Sequence, residues 1–235
     1  MSFPLFEKYV KNDWADVLKP EFERNKVFYK TFDEKIKNGY DHESVYPRSI
    51  DNIFTAFRLT SFEETKVVII GEAPYPSEAA HGLSFSVNSE AEITDTPSSL
   101  RNIFRELESD KKVDFETPST MCLSTWAGRG VLLLNTRLTL GIKNLRWQKF
   151  IDAVIYALNT RSKIVFVLLG KKAVKKRKLI STKHEKLLAS HPSDQGYKQS
   201  LTENRKKIAN PFFNSHLFSQ VNILLCENNC IDWRL

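Results

Sequence analysis

The sequence is poor in the features that would make it a disulfide scaffold, a metal-thiolate protein or a membrane protein. It has only three cysteines, Cys122, Cys226 and Cys230, an odd number with no Cys-x-x-Cys pair. The spacing of Cys226 and Cys230 puts them on one face of a C-terminal helix. Buried thiols are commoner there than a metal pair, so no metal is expected. No apolar run approaches the roughly 20 residues that a membrane-crossing helix needs. The opening stretch MSFPLFEKYVKNDW carries charge too early and lacks an apolar h-region, so no signal peptide is expected. Internal repeats, low-complexity tracts and linkers are missing as well. These absences leave an intracellular chain with a single domain over residues 1–235.

What is present suits a soluble α/β protein: 41% hydrophobic and 27% charged residues, with a net charge of +7 and a pI near 9.2. Basic charge favours a polyanionic partner, although a merely solvated basic surface has the same composition. Its distribution is more informative. GKKAVKKRK (170–178) packs six cations behind an apolar run, and a loop expected over 197–211 adds Lys198, Arg205, Lys206 and Lys207. Four apolar runs read as buried strands, at 66–71, 130–135, 163–170 and 186–191. Uninterrupted rather than alternating hydrophobicity suggests a sheet covered on both faces. PSSLRNIFRELES (97–109) repeats Leu100, Ile103, Phe104 and Leu107 at helical steps, and 147–160 and 214–229 also read as helices. The N-terminal third is mostly helical. The pattern predicts a three-layer α/β/α sandwich around a central, mainly parallel four-stranded sheet.

Ligands in such folds bind beyond the carboxyl ends of the strands. Here those ends are Gly71 onward, Asn135, Gly170 and His191. Asn135 either caps a turn or reads an amide-like edge, because its side chain offers a donor and an acceptor side by side. His191, before Pro192 and Ser193, either shapes a turn or donates to a developing anion. Phe85 is either a core aromatic or a ring that stacks on a base. Together they describe a pocket for a planar, hydrogen-bonding heterocycle.

Those segments carry a resemblance. VVIIGEAPYP…AHGLSFSV, TWAGRGVLLLNTRLTL, IVFVLLG, HPS and FFNSHLF…NILL…CIDW are similar, in order and approximate spacing, to the motifs of family 1 uracil-DNA glycosylases. The likeness runs from about residue 45 to Trp233. It implies an enzyme that flips uracil out of single- or double-stranded DNA and hydrolyses its N-glycosidic bond without a cofactor, initiating base excision repair. By match, Phe85 stacks on the base, Asn135 reads its O4 and N3–H edge, and Tyr75 fills the space of a thymine methyl. Backbone amides near Glu72 and Ala73 bind O2, and His191 stabilises the charge that develops there. Ser98 and Ser193 contact the DNA backbone. The family also implies a monomer, nucleoid-associated inside the cell.

The chain departs from that pattern in three places. GEAPY stands where the family has GQDPY, so Ala73 occupies the position of the water-positioning aspartate. Gln195 replaces the leucine wedge, for which Tyr197 is the candidate substitute. The loop before Trp147 is short, the segment from Asp194 to Pro211 is long and basic, and Lys171 replaces a small polar residue. GEAP with a later Glu also resembles the first motif of family 4 uracil-DNA glycosylases, which stay active with Ala there. Those enzymes hold an iron–sulfur cluster by four cysteines, and this chain has three. Glu72 is therefore the expected catalytic carboxylate, with Glu78 as a nearby source of negative charge. The alternatives are an impaired protein that holds uracil or DNA without cleaving, and a glycosylase specialised for a different modified base.

Overall fold

The computed structural model describes residues 3–41, 44–91, 96–225 and 229–235. Four β-branched and leucine-rich segments pair in parallel: β1 (Val67–Gly71), β2 (Val131–Asn135), β3 (Val165–Leu169) and β4 (Glu185–Ala189), in the order β2-β1-β3-β4. The register sets Gly71 opposite Asn135 and Leu169 opposite Ala189, so the carboxyl ends of all four strands line one edge of the sheet. Every residue of β1, β2 and β3 is buried, as expected for strands covered on both faces. The fourth strand differs. Its first four residues are only half-buried, whereas β2, at the opposite edge of the sheet, is buried throughout. It also ends two residues earlier than the apolar run implied, which leaves Ser190 and His191 in the following loop.

Helices flank the sheet: α1 (Pro4–Tyr9), α2 (Trp14–Arg24), α3 (Lys26–Gly39), α4 (Thr55–Leu59), α5 (Ser98–Ser109), α6 (Ser124–Gly128), α7 (Trp147–Leu158), α8 (Lys171–Lys175) and α9 (Leu217–Leu225). The N-terminal helices and α7 close around an aromatic cluster. Phe3, Phe6, Phe22, Phe54, Phe57 and Phe150 meet at centroid separations of 5.1–6.4 Å, mostly edge to face. A second aromatic group, Trp126, Phe218 and Trp233, joins α6 and α9 to the C-terminus.

Two expected elements come out differently. Among the described residues, the closing helix predicted over 214–229 runs over Leu217–Leu225 and begins three residues late. Asn214 and His216 take positive φ values of 54° and 49°, so the chain turns before α9 begins. After α9 it returns so that Asn222 clasps the Ile231 main chain with bonds of 2.8 and 3.0 Å, which delivers Trp233 to Trp126. Cys230 is exposed and outside the helix, contrary to its reading as a buried helical thiol, and Cys226 lies outside the described residues. The second correction is the basic segment over 197–211, which is not simply a loop. It contains an antiparallel hairpin, β5 (Leu201–Glu203) and β6 (Lys206–Ala209), closed by Asn204 and Arg205, both at positive φ. Two consecutive positive φ values are the signature of a tight hairpin turn, usually advertised by glycine. No glycine marks it here.

The apolar stripe of α5 is buried as its periodicity predicts. Beside it runs a second, polar stripe that is equally buried: Ser99, Asn102, Glu106 and Asp110, each 4% exposed or less. Steps of three and four residues put them on one helix face. The Glu106 carboxylate accepts from Asn214 N and His216 N, both at 2.8 Å, and from Ser215 Oγ at 3.4 Å. Asp110 accepts from Ser219 N at 3.3 Å. Removing Glu106 leaves these donors unpaired, at about 1–3 kcal/mol for each that stays buried. We therefore expect Glu106→Ala to lower unfolding stability by about 3 kcal/mol in urea titration. Glu108→Ala, on the exposed face, should change it by less than about 0.5 kcal/mol. Equal effects of the two would contradict the assignment.

Candidate active site

Three of the residues singled out in the sequence meet beyond the sheet edge. Gly71 ends β1 with no side chain, and a Cβ built there would lie 2.7 Å from Asn135 Oδ1 and 2.9 Å from Phe85 Cζ. The amide and the ring thus come together over bare backbone. Gly170, after β3, has φ +91°, and a Cβ on it would come within 3.1 Å of the His191 ring. The Phe85 and His191 rings are 5.7 Å apart at 49°. Asn135 is only 5% exposed, and its amide is bonded to none of the described residues. An amide that faces the pocket with no protein partner is free to pair with a ligand that offers a matching acceptor and donor.

Phe85 is held in an unfavourable backbone state to present its ring. Its φ of 62° lies in the left-handed region, at a cost of about 1–3 kcal/mol for a bulky residue. The surrounding bonds impose that conformation. Tyr75 Oη donates to the Phe85 carbonyl at 2.9 Å, and Ser84 N donates to Leu133 O at 3.1 Å. The Tyr75 proton is committed to Phe85, so Ser99 Oγ supplies the donor in their 2.8 Å bond. Burial pushes the Tyr75 hydroxyl far above its usual pKa, with the Ser99 bond acting the other way, so it remains a donor. Ser86 Oγ accepts from Leu123 N at 2.8 Å and meets His81 Nε2 at 2.7 Å. Burial lowers the His81 pKa to about 4.

His191 is oriented by its own loop. Its Nδ1 accepts from Ser193 N at 3.2 Å, which leaves the proton of the neutral ring on Nε2. Burial lowers its pKa, while the Glu72 charge acts in the opposite direction. The outcome is a neutral Nε2–H donor. The loop is fastened to α5 by Asn102, whose amide donates to Pro192 O at 2.8 Å and to Asp194 Oδ1 at 2.9 Å.

Glu72 occupies the turn out of β1. Its carbonyl accepts from Thr136 Oγ1 at 2.8 Å and from Arg137 N at 3.1 Å. Its carboxylate lies 2.7 Å from Lys172 Nζ and 3.7 Å from Arg137 Nη2. All three side chains are partly exposed, so these ion pairs contribute little stability, and their consequence is position. The hollow beside them, about 440 Å³, is lined by Arg137, Lys172, Lys175, Lys176 and Lys178. Glu78 goes elsewhere: it is exposed and pairs with Arg48 at 2.7 Å. Ala73 is half-buried beside Glu72. Ser98 opens α5, Lys171 is exposed at the start of α8, and Gln195 is exposed after the His191 loop. Tyr197 is half-buried, edge-on to Phe213 at 5.9 Å. Sequence reading missed Thr136, Arg137, Lys172, Ser99 and Asn102. Of the adjacent lysines 171 and 172, nothing in the sequence says which turns toward Glu72.

Three kinds of comparison bear on this site. A family model described as the uracil DNA glycosylase superfamily matches residues 57–214. A uracil-DNA glycosylase of Bacillus cereus is 40% identical over 241 residues, covering 97% of this chain and 98% of that protein. One from Bacillus anthracis is 39% identical over 96% of this chain and 97% of its own length. The crystal structure of mimivirus uracil-DNA glycosylase superposes with a TM-score of 0.83 at 25% identity, covering 98% of this chain and 89% of that one.

Low pH tests the half-buried imidazole of His81. Between pH 6.5 and about 4 the unfolded chain takes up a proton there that the folded chain refuses. The stability from neutral His81 is therefore complete above 6.5 and lost as the pH falls towards 4, by about 3 kcal/mol. Urea unfolding should show this loss in the wild type and a shallower slope in His81→Asn. Parallel slopes would contradict it.

Proposed function

The chain belongs to the uracil-DNA glycosylase superfamily, and from that premise we propose that it removes uracil from DNA by hydrolysing the N-glycosidic bond. One observation carries the reading: Asn135, Phe85 and the neutral Nε2–H of His191 converge over Gly71 and Gly170, with the Asn135 amide bonded to no described residue. The flipped base stacks on Phe85 and exchanges two hydrogen bonds with Asn135. Tyr75, locked by Phe85 and Ser99, closes the space a 5-methyl group would need. As the C1′–N1 bond breaks, its electron pair passes into the uracil ring and charge gathers on O2, where His191 donates. A neutral donor suits this step, because it stabilises the anion without surrendering a proton. Water then adds to the sugar cation at C1′, and the proton it releases neutralises the departing uracil anion.

Glu72 orients that water in place of the carboxylate lost at Ala73. Its Lys172 and Arg137 partners hold the side chain in one place, at the cost of some of its negative field. The same engagement favours a second reading, in which uracil is captured and not released. Within the superfamily, the motif order from residue 45 to 233 supports a family 1 body, and three cysteines are too few for the four-cysteine cluster of family 4. DNA phosphates would run along Ser98, Ser193 and the cations of Lys171, Lys198 and 205–207. That surface supports a DNA partner.

A labelled uracil-containing single strand, incubated with the protein and then treated with alkali, tests the reaction. We expect scission by the wild type, and a loss of about 10²–10³-fold in His191→Ala, the range for an oxyanion donor. Glu72→Gln should also slow release. Binding without scission would favour the second reading, and a Glu72→Gln rate equal to wild type would remove Glu72 from the mechanism. Affinity should fall steeply with salt, with a log–log slope of about −0.7 for each phosphate neutralised on a single strand. A flat salt dependence would contradict the basic face.

A further inference from the structure

Phe213 is 47% exposed, and a single exposed ring is by itself ordinary. Its mounting is what sets it apart. The preceding Phe212 is fully buried, and its N donates to Ser190 Oγ at 2.9 Å. The following Asn214 is fixed to Glu106 at 2.8 Å. Phe213 N itself donates to Tyr197 O at 2.8 Å, and the Tyr197 ring meets it edge-on. Tyr197 N and Gly196 N in turn donate to Ser193 O at 2.9 Å, and Ser193 N holds His191. An unbroken run of hydrogen bonds therefore joins the exposed ring to the candidate anion-stabilising histidine. Lys198 Nζ lies 5.3 Å from the Phe213 centroid and 5.4 Å from that of Tyr197. The β5–β6 hairpin, between Tyr197 and Phe213 in the chain, carries exposed Arg205, Lys206 and Lys207.

A rigid, solvent-facing aromatic with cations around it is what stacking on a nucleic-acid base requires. We propose that Phe213, buttressed by Tyr197, is a stacking platform for an unpaired base of the DNA strand adjacent to the flipped nucleotide, with Lys198 and the hairpin cations on its phosphates. This rests on the DNA reading above and deepens it. It replaces the wedge role expected of Tyr197 with a stacking role on the ring that is open to solvent, and gives the long basic segment a purpose: it ties the platform to the loop that carries His191.

The test uses labelled single strands bearing a non-hydrolysable 2′-fluoro uracil nucleotide, with either an ordinary base or an abasic spacer at each neighbouring position in turn. Affinity is read by fluorescence anisotropy. Wild type should bind the strand with both neighbours about tenfold more tightly than the strand with a spacer at the stacked position. Phe213→Ala should bind both at the weaker level, and Phe213→Trp should restore the difference. Thermal unfolding of each variant checks that the fold is intact. If Phe213→Ala still discriminates against the spacer, or wild type does not, the platform is refuted. A separate arm measures uracil release by wild type from the cleavable strand. Failure there would overturn the glycosylase reading, and the anisotropy comparison would still decide the platform.

Discussion

Three polar side chains on one face of α5, and Asp110 at its C-terminal cap, hold the loops around the pocket to the rigid part of the molecule. Ser99 bonds Tyr75, which fixes the Phe85 carbonyl; Asn102 bonds the loop that carries His191; Glu106 and Asp110 bond the turn and first residues around α9. Each is buried and each is satisfied, so the stripe avoids the desolvation penalty of orphaned polar groups and makes three placements around the pocket depend on one helix. The apolar residues on the neighbouring face of α5 lock the helix itself into the core. Pocket geometry thus derives from core packing through a set of directional bonds, which is the arrangement a pre-organised site needs.

The sheet supplies the other half of the geometry. Parallel strands end in register, so Gly71 and Asn135 are neighbours by necessity, and Gly170 brings His191 close because it lacks a Cβ. Electrostatics at the site then divides into two parts. Burial keeps His191 neutral and the Ser193 amide sets its tautomer, while Glu72 stands at the rim among Lys172 and Arg137. A carboxylate so placed has a fixed direction and a weakened field. That compromise is what the proposed role of Glu72 beside Ala73 has to contend with.

Much of this was legible in the sequence. Apolar runs located the strands to within two residues at every end, and for β1, β2 and β3 burial on both faces left no alternation to misread. Their ends pointed to Asn135 and His191, and the motif order to Phe85 and Tyr75; Asn135, Phe85 and His191 meet beyond the sheet, and Tyr75 bonds Phe85. Three things were not legible. The polar stripe of α5 was hidden because Asn102, Glu106 and Asp110 look like a solvated face until other loops are seen to cover them. The β5–β6 hairpin escaped because its turn uses Asn204 and Arg205 in place of glycine. The Lys172 and Arg137 clamp on Glu72 depends on side-chain directions that residue spacing does not fix.

Hydrogen exchange of Asn102→Ala, followed by mass spectrometry of its peptides, tests the role of α5 most directly. The amides of residues 193–197 should exchange much faster than in the wild type, while those of β1 and β2 keep their protection. Uracil release should slow in step with the loosened loop. Unchanged exchange over 193–197, or an equal loss of protection across the strands, would contradict the claim that this one side chain holds the His191 loop in place.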